Sequence, residues 1–228
     1  MKVTCFLPCR AGSERVKNKN TRQFAGVEGG LLKIKLDQLV RCPLIDTIVL
    51  STDDRKVIDV SKSYGSRIRI DNRPPELATS ETSTDDLIRY VSKIIHEPHI
   101  MWTHVTSPFA GEEIYTKAIN EYFRVIKTGK YDSLMSVTPI RVHVWDREGE
   151  PVNYIRGHIR WPRSQQVEPV FEVNSAVFIN SRENYLKLED RIGAKPFLFE
   201  MDRTDSLDID YEDDFVLAES IFRFRGLR

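Results

Sequence analysis

Short apolar runs alternate along this chain with segments of helical spacing, and that alternation narrows the possible folds more than any other feature. VTCFLP (3–8), TIVLST (47–52), RIRI (67–70), MWTHVTS (101–107) and SLMSVTP (133–139) read as mostly buried strands. Between them, Leu87, Val91, Ile94 and Ile95 fall on one face of a helix over 84–97. Ser83 or Thr84 stands at its N-cap, and Asp85 and Asp86 suit its positive end. Residues 53–64 and 111–128 give further helices, and 212–223 a last one burying Phe215, Ala218, Ile221 and Phe222. Strand signals return at FEVNSAVFINS (171–181) and PFLFEM (196–201). This rhythm predicts an α/β fold with a mostly parallel central sheet covered on both faces.

The rhythm breaks at about 140–170, where Trp145, Trp161 and many charges show little periodicity and Gly149 and Pro151 mark a turn. We expect an inserted arm there, either a lid or a subunit contact. With no repeat or linker, residues 1–228 read as a single domain. Lys and Arg (34) balance Asp and Glu (34), which argues against a dedicated nucleic-acid binder and for a small-molecule substrate. Cys5, Cys9 and Cys42 lack paired zinc-type spacing and suggest reduced thiols. No apolar run suits a leader peptide or a membrane span, so the expected setting is cytoplasmic, with no membrane partner.

Against that neutral background, CRAGSERVKNKN (9–20) concentrates Arg10, Arg15, Lys17 and Lys19 straight after the first strand. The carboxyl edge of a parallel sheet is where such folds bind ligands. The four bases could neutralise a polyphosphate, with Gly12 allowing close backbone approach and Ser13 offering a hydroxyl. The alternative is a solvated charged loop. The loop is neither a P-loop nor a dinucleotide fingerprint. Near the other end, Asp208 and Asp210 of LDID sit two apart, so an extended backbone turns both carboxylates to one face. Two hard oxygen donors suit Mg²⁺ completed by water and phosphate. Asp213 and Asp214 fit better as the acidic N-terminus of the last helix.

These stretches resemble the acylneuraminate cytidylyltransferase family. CRAGSERVKNKN is similar to its ARxGSKRxxxKN signature, VLSTDD (49–54) to VVSTDD, and RPPELATSETST (73–84) to RPAELATDTAST. VTSPF (105–109) resembles QPTSPLR, RSQQVEPVFEVNSAVFI (163–179) resembles RRQDLPPVYRENGAIYI, and DSLDIDYEDDFVLAE (205–219) its closing SxDIDxxxDxxxAE. The blocks follow the family's order over nearly the whole chain. The resemblance implies a Rossmann-like nucleotide-diphospho-sugar transferase fold and a homodimer whose arm crosses to the neighbour. It also implies transfer of CMP from CTP to an acidic sugar with release of pyrophosphate.

Residue by residue, the resemblance puts Arg10, Gly12, Ser13 and Asn20 on CTP, Arg15 and Lys19 at its phosphates, and Mg²⁺ on Asp208 and Asp210. It puts Thr82 and Thr84 at the cytosine, where their other role is helix capping. Arg73 is expected near the base or ribose, or else paired with Glu76. His104, Thr106, Ser107, Arg163, Gln165 and Asn174 would hold the acceptor, with Phe178 as an apolar wall; a strand-end His is otherwise a structural residue. Glu14, Ala110, Glu172 and Ser175 depart from the family pattern, and three of these changes remove or oppose positive charge. They leave room for a different, for example phosphorylated, acceptor, or for a nucleotide-binding homologue with impaired catalysis. The Asp-x-Asp spacing also resembles glycosyltransferases that use nucleotide sugars.

Overall fold

The computed structural model describes residues 1–227. Its first strand, β1 (Val3–Pro8), shows why the sheet is covered twice. Cys5 and Leu7 enter one apolar cluster and Phe6 another, as the two-residue period of a strand requires. β2 (Ile45–Thr52) and β3 (Ile68–Asn72) continue the sheet in parallel on one side of β1, and β4 (His99–Trp102) lies parallel on the other. β5 (Ser133–Ile140), β6 (Val170–Ser181) and β7 (Pro196–Glu200) complete seven strands in the order β3-β2-β1-β4-β6-β5-β7. Only β6 runs against its neighbours, so the sheet is mostly parallel, as expected.

α1 (Gly30–Arg41), α2 (Arg55–Ser61), α4 (Glu112–Ile126) and α6 (Glu212–Phe224) bury Leu31, Leu36, Val57, Tyr115, Ile119 and Phe215 in the larger cluster. α3 (Thr84–Ile94) and α5 (Arg182–Leu188) cover the other face with Ile88, Val91 and Tyr185. Ser83 caps α3 by accepting from the Asp86 N–H, and Asp54 caps α2 through Lys56. Cys5, Cys9 and Cys42 are buried and unpaired. No helix among the described residues is long and apolar enough to cross a membrane.

Two elements lie outside the sequence expectations. α1 is capped by Gly29 and begins at Gly30, both at positive φ, and a Cβ on Gly30 would stand 1.9 Å from the Arg22 carbonyl oxygen, so only glycine fits there. The helix buries Lys35 beside its apolar residues, which blurs the amphipathic stripe. α5 is too short to give a periodic signal. One expected strand is corrected: MWTHVTS leaves the sheet after Trp102, and residues 103–110 form turns at the strand's carboxyl end.

Between β5 and β6, residues 141–169 carry one isolated bridge, Trp145 to Pro151, and a short 3-10 turn over Ser164–Gln166. Asn153 holds the excursion together, donating to the Val142 and Glu168 carbonyls and accepting from Val144. β6 then bulges: the register with β5 slips between Met135 and Val137, opposite Asn174 and Ser175. Ser175 sits there at φ 59°, a conformation that costs an L-residue about 1–2 kcal/mol. Ser175→Gly relieves that strain against the larger unfolded-state entropy of glycine, so a net gain of about 0.5–1 kcal/mol is expected. Urea unfolding of the two proteins checks it.

Candidate active site

The sheet order reverses at β1. Its chain connection runs to β2 on one side while β4 lies on the other, and the crevice beyond their carboxyl ends is the expected ligand position. A cleft of about 420 Å³ opens there, lined by Arg10, Ser13, Glu14, Arg15, Lys19 and Asn20 from the loop after β1. Arg73, Thr84, Trp102, His104 and Thr106 line the rest of its wall.

The basic loop is built rather than solvated at random. The Ala11 N–H donates to Asp53 at 2.8 Å, Asn20 Nδ2 donates to the Arg10 carbonyl at 3.1 Å, and Gly12 turns the chain at φ 73°. Lys19 Nζ donates to the Ile209 carbonyl at 2.7 Å, and Arg15 pairs with Asp210 at 2.9 Å. The loop after β1 is thereby tied to the segment that carries the two aspartates, although 190 residues separate Lys19 from Ile209. Arg10 makes only a marginal 3.5 Å contact with its neighbour's carbonyl, which leaves its guanidinium for a ligand.

The same segment is hooked to the other side of the cleft. The Ile209 N–H donates to the Thr106 carbonyl and also to Asp208 Oδ1. Burial pushes the Asp208 carboxyl up, with Asp210 adding like charge, while Thr106 and Lys19 pull the other way. Asp208 and Asp210 face a second, adjoining cavity of about 730 Å³ with Arg141, Glu172, Asn174, Ser175 and Arg203. Asp214 accepts from the N–H groups of Asp210 and Tyr211 and so caps α6, the helix-terminal role expected for it.

Other expected site residues fall elsewhere. Arg73 is buried and donates to the Ser51 carbonyl and hydroxyl, not to Glu76. Thr84 lines the cleft at the first residue of α3, but Thr82 bonds to Thr79 and the Glu76 carbonyl in the preceding turn and is absent from the cleft wall. Neither threonine is the cap. Ser107 lines neither cavity: it is fully buried, its hydroxyl has no partner among the described residues, and its carbonyl takes a bond from Lys35. Phe178 lines neither cavity either, and is buried under the Arg191 guanidinium at 3.9 Å. Asn174 reaches the second cavity, but its amide is committed to Ser136, Thr138 and the Ala176 N–H across the bulge. Arg163 and Gln165 are exposed on the excursion and line neither cavity.

Lys35 was missed by sequence reasoning. It is fully buried, with Nζ bonded to the Ser107 and Ala110 carbonyls and the Tyr115 hydroxyl at 2.8, 2.9 and 2.5 Å. It therefore clamps the turns that carry Thr106. Arg191 was missed as well, because a lone arginine between an acidic helix end and GAKP carries no motif.

Comparison with known proteins agrees with this architecture. The sequence profile of the family described as Cytidylyltransferase matches residues 4–212. The chain is 26% identical to the N-acylneuraminate cytidylyltransferase of Escherichia coli O18:K1:H7 over 96% of its own length and 52% of that protein's. It thus spans about half the length of that relative. It is 28% identical to the CMP-N,N'-diacetyllegionaminic acid synthase of Legionella pneumophila, covering 97% of this chain and 96% of that one. Among solved structures, 4-diphosphocytidyl-2C-methyl-D-erythritol synthase from Anaerococcus prevotii superposes with a TM-score of 0.69 at 17% identity, over 97% and 96% of the two chains. A CMP:2-keto-3-deoxy-manno-octonic acid synthetase complexed with CTP gives 0.67 at 14%, over 99% and 100%. The profile match spans the cleft loop, both strand ends at the crevice and the paired aspartates, and this chain belongs to the cytidylyltransferase family.

Proposed function

We propose that the protein transfers CMP from CTP to an acidic sugar of the nonulosonic or ulosonic class and releases pyrophosphate. The observation that carries this reading is the joining of the cationic loop after β1, which lines the cleft, to the paired aspartates of the adjoining cavity, through Arg15–Asp210, Lys19–Ile209 and Ile209–Thr106. Arg10, Arg15 and Lys19 would hold the triphosphate and stabilise the departing pyrophosphate. Ser13 and Asn20 lie beside them, and Thr84 and Arg73 face the opposite wall, where a base or ribose can be read.

The donor set fits a divalent cation. Asp210 is close enough to Asp208 to oppose its ionisation, and since no group of three or more His, Cys, Asp or Glu among the described residues could hold a metal, a cation would rest on these two carboxylates and on ligands from water and substrate. Two carboxylates with open positions suit Mg²⁺, which keeps water and phosphate in its shell. Bound there, Mg²⁺ would supply Lewis-acid stabilisation of charge at the α-phosphate. Arg15, now paired with Asp210, would exchange that partner for phosphate; both side chains are about half exposed, so the exchange is cheap.

A homodimer belongs to the same proposal. The excursion exposes Ile155, Ile159 and Trp161, and it carries Arg163 and Gln165, which line neither of the two cavities described above. A neighbour's acceptor cavity would bury the first set and use the second. A glycosyltransferase reading loses its support to the family match.

Pyrophosphate release with CTP and Mg²⁺ across sialic, legionaminic, pseudaminic and 3-deoxyoctulosonic acids tests the reading. Absence of CTP binding by calorimetry would overturn it. CTP binding without release would favour the alternative of a different acceptor or impaired catalysis, for which Glu14 is the specific observation: its side chain lines the triphosphate cleft. A carboxylate in that cleft opposes a triphosphate. Glu14→Lys is therefore expected to tighten CTP binding by about tenfold at low salt, with the gain shrinking as salt rises.

A further inference from the structure

We infer that Arg22 is a positioning residue for the paired aspartates and acts through Glu212. The Arg22–Glu212 ion pair holds the Asp208–Asp210 segment against the phosphate loop once ligand has drawn off the other ties. The inference rests on the cytidylyl-transfer reading for what the aspartates do, and not for the tie itself.

Three contacts fasten the chain after β1 to the segment that leads into α6. Lys19 donates to the Ile209 carbonyl, Arg22 pairs with Glu212, and the Ala25 N–H donates to the Glu219 carboxylate. The middle contact is a fork: Arg22 Nη1 and Nη2 meet Glu212 Oε2 and Oε1 at 3.1 and 2.5 Å. The same guanidinium lies 4.0 Å from the centre of the Phe215 ring, which is fully buried and meets Phe24 edge to face. The Arg22 main chain is fixed as well, its N–H donating to the Asn18 carbonyl at 2.8 Å. One residue therefore has its backbone in the phosphate loop and its side chain on the first residue of α6, two positions after Asp210.

Arg22 differs from its neighbours in where it stands relative to ligand. Arg15 and Lys19 line the cleft, whereas Arg22 and Glu212 line neither the cleft nor the adjoining cavity. A triphosphate would take Arg15 from Asp210 and share the Lys19 ammonium with the Ile209 carbonyl. The two ties nearest the aspartates thus slacken at the point where a cation must be held, and Arg22 keeps its fork. Stacking on Phe215 pre-orients the guanidinium, so little further freedom is lost in gripping Glu212. The first turn of α6 carries Asp210 with it, because Asp214 accepts from the Asp210 and Tyr211 N–H groups. Loss of the fork should leave nucleotide binding intact and weaken what needs phosphate and aspartates together.

Arg22→Met keeps an apolar stem on Phe215 and deletes the fork. Mn²⁺ titrated into CTP-loaded protein and followed by EPR should bind the variant about fivefold to tenfold more weakly, with metal-free CTP affinity within about twofold. kcat should fall by about tenfold with the CTP KM little changed. Arg22→Lys should recover part of both losses, and Arg22→Met combined with Glu212→Gln should cost no more than Arg22→Met alone. A folded Arg22→Met protein with wild-type Mn²⁺ affinity and kcat overturns the inference, as do losses that add in the double variant. An equal loss of metal-free CTP affinity would make Arg22 a nucleotide ligand and overturns it too. Amide hydrogen exchange separates the tie from the reaction. Inorganic tripolyphosphate should speed exchange over residues 207–214 by about fivefold in Arg22→Met and leave the wild type unmoved. The same response in both proteins sinks the tie whatever the acceptor proves to be. That contrast in a wild-type protein unable to bind CTP would sink the cytidylyl-transfer reading alone.

Discussion

Asp210→Ala is expected to lower Mg²⁺-dependent pyrophosphate release by about a thousandfold, the equivalent of about 4 kcal/mol of transition-state stabilisation. The fold itself should scarcely notice. Asp210 is about half exposed and its one ion pair, with Arg15, is equally open, so its removal costs at most about 1 kcal/mol of stability. The loss should therefore appear in kcat, with CTP affinity measured without metal retained or slightly improved as Arg15 is freed. Asp208→Ala should cost as much turnover while also removing the carboxylate that accepts from the Ile209 N–H, so its melting temperature falls too. Full Mg²⁺-dependent turnover in Asp210→Ala would end the metal assignment.

How far could the sequence be read? The strands were legible because each is short, apolar and bounded by turn residues, and the two-sided burial of β1 is visible in its unbroken apolar run. Arg10, Arg15 and Lys19 stood out because charge concentrated locally in a neutral chain needs a reason. What stayed hidden depends on tertiary partners. Ser107 and Thr106 are adjacent and chemically alike, yet one faces the cleft and the other is sealed beneath Lys35; the turn after Trp102, not a strand alternation, decides which. Phe178 was expected to wall a cavity, but the unseen Arg191 covers it. Arg163 and Gln165 sit on the segment where sequence periodicity fails, and there the chain alone gives them no site.

Lys35→Met should be the most destabilising of these substitutions, by about 2–3 kcal/mol, because it strands the buried Ala110 carbonyl and leaves the Ser107 carbonyl with only the Ala110 N–H. In the native chain both protonation states are accommodated. As an ammonium, Nζ donates to the Ser107 and Ala110 carbonyls and to the Tyr115 hydroxyl. As an amine it keeps the two carbonyls and accepts from Tyr115, while Thr103 still donates to the Ala176 carbonyl. Burial pushes Lys35 down to about 7, whereas the unfolded side chain titrates near 10.5. Between those values the unfolded state binds the extra proton, so this group makes stability rise with pH from about 7 toward 10.5. Lys35→Met should abolish that rise in urea-unfolding curves taken across the range. Activity gives an independent check: the turns clamped by Lys35 carry Thr106, whose carbonyl holds the Ile209 N–H between the two aspartates, so the variant should lose turnover even where it remains folded. A folded Lys35→Met protein with full turnover and an unchanged pH slope would show that the buried ammonium positions nothing.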